Sequence, residues 1–255
     1  MLLVRYQHHH ATHFGHLDGD GIGLIAGDIF GEFVRGPRAV SLADVTLLAP
    51  CQPSKVIAIG SNFADRLRER GLPTPDLPVM FFKAPSAVVG PEEAILLPPQ
   101  SQDVEYSAEL AVVIGRRARR VTPEAALQHI LGYTCANDVI ALDLALQDGA
   151  WTRGSSFDTF CPLGPCIATG LDPADLRITC AVNGQTRQLS STRDMLFGVP
   201  QVVAFASSVM TLLPGDVILM GSPAGAGPLA DGDVVEVEIE GIGTLRNPVR
   251  AEERE

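Results

Sequence analysis

The sequence predicts a mainly β chain with some α, an α+β fold, and three observations carry that reading. Residues 103–115 alternate polar and apolar side chains as a strand does. Beyond Asp158 the chain is nearly all short strands and turns, with one helical stretch over Pro200 to Met210. Residues 1 to about 50 carry short apolar runs broken by turn residues, the pattern of a small β-rich lobe.

Composition bounds the function. At 255 residues and 46% hydrophobic, the chain can bury a sizeable core as one domain or one and a half. A formal charge of −11 argues against nucleic acid or an anionic membrane as partner, since both need a basic footprint. The one basic run, Arg116-Arg-Ala-Arg-Arg120, reads as a solvated turn or helix start. No apolar run is long enough to span a bilayer and the N-terminus lacks a signal-peptide layout, so a cytoplasmic protein is expected. Five cysteines without a Cys-x-x-Cys pair indicate neither a disulfide framework nor a zinc cage; they read as small buried hydrophobes. Cys161 and Cys166 bracket Pro-Leu-Gly-Pro, which reads as a turn.

In chain order, Leu2–Tyr6 and Gly21–Ile25 are strand-like, and Asp18-Gly19 signals a hairpin. Five of the six histidines, His8, His9, His10, His13 and His16, lie in this lobe and read as an exposed hairpin or loop, with transition-metal binding as the alternative. Only His129 lies elsewhere, so any site further on lacks an obvious histidine base of its own. Pro53 marks a domain boundary, giving a lobe over 1–50 and a main domain over 51–255. Lys55–Gly60 reads as a buried strand. Ser61–Gly71 reads as a helical or looped segment whose charges are spaced for solvent, and Leu72–Pro78 as a rigid connector or a lid. Val79–Pro85 forms a strand carrying Lys83, placed to counter an anionic substrate or to snorkel.

The stretch Asp103-Val-Glu-Tyr-Ser-Ala-Glu-Leu-Ala-Val-Val-Ile-Gly115 puts Val104, Tyr106, Ala108 and Leu110 on one face and Glu105, Ser107 and Glu109 on the other. Gly132–Val139 reads as a second strand ending on Asp138. If the two strands are neighbours, their carboxylates converge. Crowded carboxylates repel, so one takes a proton or a cation joins them, and oxygen-only ligands favour Mg²⁺, Mn²⁺ or Ca²⁺ over zinc. Spacing alone favours a plainer reading, in which Glu105 and Glu109 form the wet face of an antiparallel strand. Further on, Leu213–Gly227 combines a turn, a strand and a Gly-rich loop without a nucleotide fingerprint, and Asp231–Gly243 alternates acid and aliphatic as a one-side-wet strand does.

The order of motifs resembles the fumarylacetoacetate hydrolase family. The resemblance rests on Ile59-Gly-Ser-Asn-Phe-Ala-Asp65, Phe82-Lys-Ala-Pro85, Ala108-Glu-Leu-Ala-Val-Val-Ile-Gly115 and Gly132-Tyr-Thr-Cys-Ala-Asn-Asp138. Ser156-Phe-Asp-Thr-Phe-Cys-Pro-Leu-Gly-Pro165, Val182-Asn-Gly184 and Pro214-Gly-Asp-Val-Ile218 extend it. It implies a mixed β-roll, a homodimer, and Mg²⁺ or Mn²⁺ held by three carboxylates. It also implies a small oxo acid as substrate, undergoing C–C hydrolysis, decarboxylation or isomerisation through a stabilised enolate.

Matched position by position, the resemblance assigns Glu109 and Asp138 to the metal but places Ser107 where the family has its first glutamate. Glu105 would compensate only through water, because two strand residues span about 6–7 Å. Arg66 stands where most relatives have histidine, while Glu69 matches the glutamate that assists it and is left as the catalytic base. Leu142 replaces an arginine and Ser155, a second catalytic candidate, replaces a lysine. Gln188, Thr192 and Ser222 match positions near the family's substrate pocket, and Lys83 joins them as a substrate-binding candidate. Two readings follow: an enzyme with weakened or altered family chemistry, or a homologue that binds a small carboxylic acid or serves as a structural subunit without catalysis.

Overall fold

The computed structural model describes residues 1–253. Its backbone is a twelve-stranded mixed sheet. The strand order runs Phe33–Ser41, Gly21–Gly27, Ala11–Asp18, Leu2–His8, Cys161–Ala168, Ile130–Asn137, Ala108–Ile114, Val217–Leu219, Val56–Gly60 and Val79–Lys83. Thr46–Leu48 and Val88–Val89 join off this path. Most neighbours are antiparallel, but Val217–Leu219 and Val56–Gly60 run parallel, as their fully buried, aliphatic character suits.

A five-stranded sheet packs on the centre of the large one, in the order Gln185–Ser191, Arg177–Val182, Val234–Ile239, Gly243–Ala251 and Ile95–Leu97. The layer between them is dry: Leu110, Ala136, Leu163, Val237, Ile239 and Leu245 are all buried. Val234–Ile239 alternates exposed and buried as its acid–aliphatic pattern predicts. All five cysteines are buried and unpaired. No helix among the described residues is long and apolar enough to cross a membrane.

The N-terminal strands enter the large sheet through Leu2 and Leu3, which pair with Ala168 and Ile167. The Asp18 hairpin forms with Asp18 opposite Gly21 and Gly19 at φ +61°. A second two-residue turn at His9 and His10 joins Leu2–His8 to Ala11–Asp18, putting those two imidazoles on an exposed tip. The expected turn at Cys161–Cys166 is instead the strand Cys161–Ala168. Pro165 is accommodated there because the pairing with Ile130–Asn137 slips register between Tyr133 and Cys135, while Pro162 lies outside that ladder, opposite Val89.

Two short helices are absent from the sequence reading: Trp151–Ser155 packs beside the Val79–Lys83 strand, and Leu142–Asp148 packs against Trp151–Ser155. The helix Val199–Val209 forms as its apolar spacing predicts, and Ala64–Arg70 ends on Gly71 at φ +65°.

A candidate active site between two sheets

The alternating stretch changes sheet at Ser107. Val104–Tyr106 lies in a small sheet with Ile140–Ala141 and Gly227–Pro228, whereas Ala108–Ile114 lies in the large one. Ser107 is pinned at the switch: its N–H donates to Asn137 Oδ1 (2.9 Å), its Oγ to the Asp138 carbonyl (3.0 Å), and its carbonyl accepts from Asp138 N (2.8 Å). With Ala108 opposite Asn137 and Glu109 opposite Ala136, Asp138 is the diagonal neighbour of Glu109 on one face. The sequence-level expectation that these acids converge follows from that register.

They do not form a wet face. Glu109 is 3% exposed, Glu105 and Asp138 each 8%. Glu109 Oε2 accepts from Gly221 N (2.6 Å). Gly221 adopts φ +86°, and a Cβ there would meet Asn62 Cβ at 2.8 Å and the Ile59 carbonyl at 2.9 Å, so only glycine presents that N–H. Burial, and then the charge of Asp138, push the Glu109 carboxyl well above the ordinary glutamate range. Asp138 faces the other way electrically: Lys83 Nζ lies 2.6 Å from its Oδ1 and donates to the Val139 carbonyl (2.9 Å).

These groups form the floor of a cleft of about 350 Å³. Glu105, Ser107, Glu109, Asp138 and Ser222 supply its polar lining. Arg66 and Arg70 line one wall, four residues apart on Ala64–Arg70, and both pair with Glu105. This corrects the reading of that helix as spaced for solvent: the guanidiniums lie inward because a buried carboxylate awaits them. Apolar side chains make up much of the remaining lining, Ile140, Leu142, Leu146, Phe81 and Trp151 among them; the last two rings stack at 5.4 Å.

The other candidates lie off the cleft lining. Glu69 is turned outward, its Oε2 taken by Arg66 (2.5 Å) and its Oε1 accepting from Gly225 N (3.1 Å). Lys83 sits beneath the floor against Asp138. Ser155 is wholly buried at the end of its helix, with Oγ lacking a hydrogen-bond partner. Gln188 braces rather than lines: its Nε2 donates to Ser222 Oγ and to the Pro223 carbonyl, both at 2.8 Å, and its Oε1 accepts from Ala108 N (2.9 Å). Thr192 Oγ1 accepts from Leu176 N in a buried turn (2.8 Å).

Sequence reasoning missed Arg70, Phe81, Leu146 and Trp151. The i, i+4 spacing of Arg66 and Arg70 was the available signal for the first.

The donor set does not fit a hard divalent ion such as Mg²⁺ or Mn²⁺. Such an ion relies on carboxylates to offset its dehydration. Here Asp138 is paired with Lys83, Glu105 with two arginines, and the Ser107 hydroxyl is spent on a carbonyl. Among the described residues, no three His, Cys, Asp or Glu side chains are grouped to hold a metal.

The fumarylacetoacetate hydrolase C-terminal family model matches residues 55–250, and an Rv2993c-like N-terminal model matches residues 1–50. The chain belongs to the fumarylacetoacetate hydrolase family. Mitochondrial oxaloacetate tautomerase FAHD2A of Bos taurus is 39% identical over 287 residues, spanning 98% of this chain and 91% of that protein. The crystal structure of 5-carboxymethyl-2-hydroxymuconate delta-isomerase from Mycobacterium smegmatis superposes with a TM-score of 0.93 at 46% identity, covering 99% of this chain and 100% of that one. A 2-hydroxyhepta-2,4-diene-1,7-dioate isomerase from Mycobacterium marinum gives a TM-score of 0.93 at 43% identity, with both chains fully covered. Within the fumarylacetoacetate hydrolase family, then, this chain joins a shared fold to a cleft floor of Glu105, Ser107, Glu109 and Asp138.

Proposed function

We propose that this member of the family takes a small oxo acid into the cleft and moves a proton on it, interconverting keto and enol forms or shifting a C=C bond. The observation that carries this reading is the unequal partnering of two carboxyl groups on one floor, Glu109 on a backbone N–H and Asp138 on an ammonium. Two acids in contrasting environments are the arrangement that separates an acid role from a base role.

Asp138 takes the proton from the carbon beside the ketone. The C–H electron pair becomes the C=C bond, and the carbonyl oxygen receives a proton from Glu109, whose burial favours the protonated carboxyl. Once the enol leaves, Asp138 gives up its proton to water and Glu109 regains one, which restores both groups for the next turnover. Arg66 and Arg70 supply the seat for the substrate carboxylate, which takes over the contacts that Glu105 makes in the free protein. The names of the tautomerase and isomerase relatives support proton relocation on oxo acids.

The test follows the enol absorbance of oxaloacetate and of phenylpyruvate with the wild-type protein and with Asp138→Asn and Glu109→Gln. Each variant is expected to lose about a hundredfold or more in kcat. Wild-type rates in both variants would overturn the assignment. Binding without turnover by the wild type would favour the second reading, a carboxylic-acid-binding homologue.

A further inference from the structure

We infer that the cleft selects an oxo acid with one carboxylate and an apolar tail, and discriminates against dicarboxylates. The inference rests on the oxo-acid reading above and concerns the apolar part of the cleft lining.

The cationic groups at this site are concentrated on one side. Arg66 and Arg70 lie together on a single helix, and Lys83 is buried against Asp138 and the Val139 carbonyl. A substrate whose first carboxylate sits at the guanidiniums finds no third cation in the cleft lining, and its tail is left to the apolar side chains Ile140, Leu142, Leu146, Phe81 and Trp151. None of these side chains can donate to or neutralise a second carboxylate except the Trp151 indole N–H, and that ring is stacked on Phe81. A carboxylate desolvated against such a wall is strongly disfavoured, whereas a methylene buried there tightens binding about fourfold. The stacked pair offers a flat surface for an aromatic or branched aliphatic tail.

Two features show that the wall belongs to the cleft. Leu146 and Trp151 are 70% and 42% exposed, large apolar side chains held at the cavity rim. Leu142 lines the cleft from the start of the helix that carries Leu146.

The experiment is a titration that uses Trp151, the chain's single tryptophan, as an intrinsic reporter inside the site, with calorimetric Kd values alongside. Phenylpyruvate and 4-methyl-2-oxopentanoate are compared with oxaloacetate and 2-oxoglutarate. The apolar-tailed acids are expected to bind at least tenfold more tightly than 2-oxoglutarate. Leu142→Arg is expected to reverse that ratio, and Leu146→Arg, at an exposed position that tolerates charge, to reduce it. Dicarboxylates binding as tightly as the tailed acids, or ratios unmoved by both variants, would overturn the inference while leaving the oxo-acid reading standing. Failure of any oxo acid to bind by calorimetry would instead overturn the oxo-acid reading, and this inference with it.

Discussion

Lys83 and Asp138 form an ion pair beneath the cleft, 2.6 Å from Nζ to Oδ1, with side-chain exposures of 0% and 10%. Removing one partner of a buried pair leaves the other charge uncompensated. Lys83→Met is therefore expected to cost about 3–5 kcal/mol of stability. The double variant Lys83→Met, Asp138→Asn should recover much of that loss. Urea denaturation of the four proteins in the cycle measures the coupling, and additive losses would show that the pair is not coupled.

Glu109 gives a pH signature. Its folded carboxyl titrates above its unfolded value, so between those two points the native state holds a proton that the unfolded chain has released. Stability should fall as pH rises from the ordinary glutamate value near 4.5 towards the raised one, by up to about 1.4 kcal/mol per pH unit, and level off above it. In Glu109→Gln that slope should vanish. Denaturation midpoints measured across this range in the presence of a chelator test both statements.

Ser107→Glu adds a fourth acid to the floor beside Glu105, Glu109 and Asp138. Without metal it should lower the melting temperature, because four carboxylates then share one buried pocket. With Mn²⁺ the melting temperature should recover, and calorimetry should show Mn²⁺ affinity at least tenfold above that of the wild type. An unchanged Mn²⁺ isotherm would mean that the added carboxylate does not join Glu109 and Asp138 around one ion.

Gly221 is the hinge of the acid site. In Gly221→Ala the new methyl meets Asn62 Cβ and the Ile59 carbonyl below 3.0 Å at a positive φ, so the N–H to Glu109 Oε2 should be lost or displaced. A destabilisation of about 2–4 kcal/mol is expected. Gln188→Leu, which strips the braces from the Ser222–Pro223 segment, should cost about 2 kcal/mol and weaken oxo-acid binding in the same assay.

Much of the architecture could be read directly from residue order. Strict alternation from Val104 to Ile114 marked a strand, and the spacing of the Gly132–Val139 run brought Asp138 to Glu109. The electrostatics were less legible, because a helix carrying Asp65, Arg66, Arg68, Glu69 and Arg70 looks solvated until the buried Glu105 on another element is placed beside it. Glu69 and Thr192 likewise sit near the motifs, but Glu69 spends its oxygens on Arg66 and Gly225 N and Thr192 its hydroxyl on Leu176 N, which one-dimensional spacing does not reveal. Trp151 was hidden for a different reason: a five-residue helix shows no periodicity to recognise.

The seam where Leu2 and Leu3 lie along Ala168 and Ile167 gives the first fifty residues a protective task. Stripped of them, Cys161–Ala168 would lose its partner on that side, leaving unmet amide and carbonyl groups open to any passing strand. A shortened chain starting at residue 51 is thus expected to clump during expression even with every cleft residue in place.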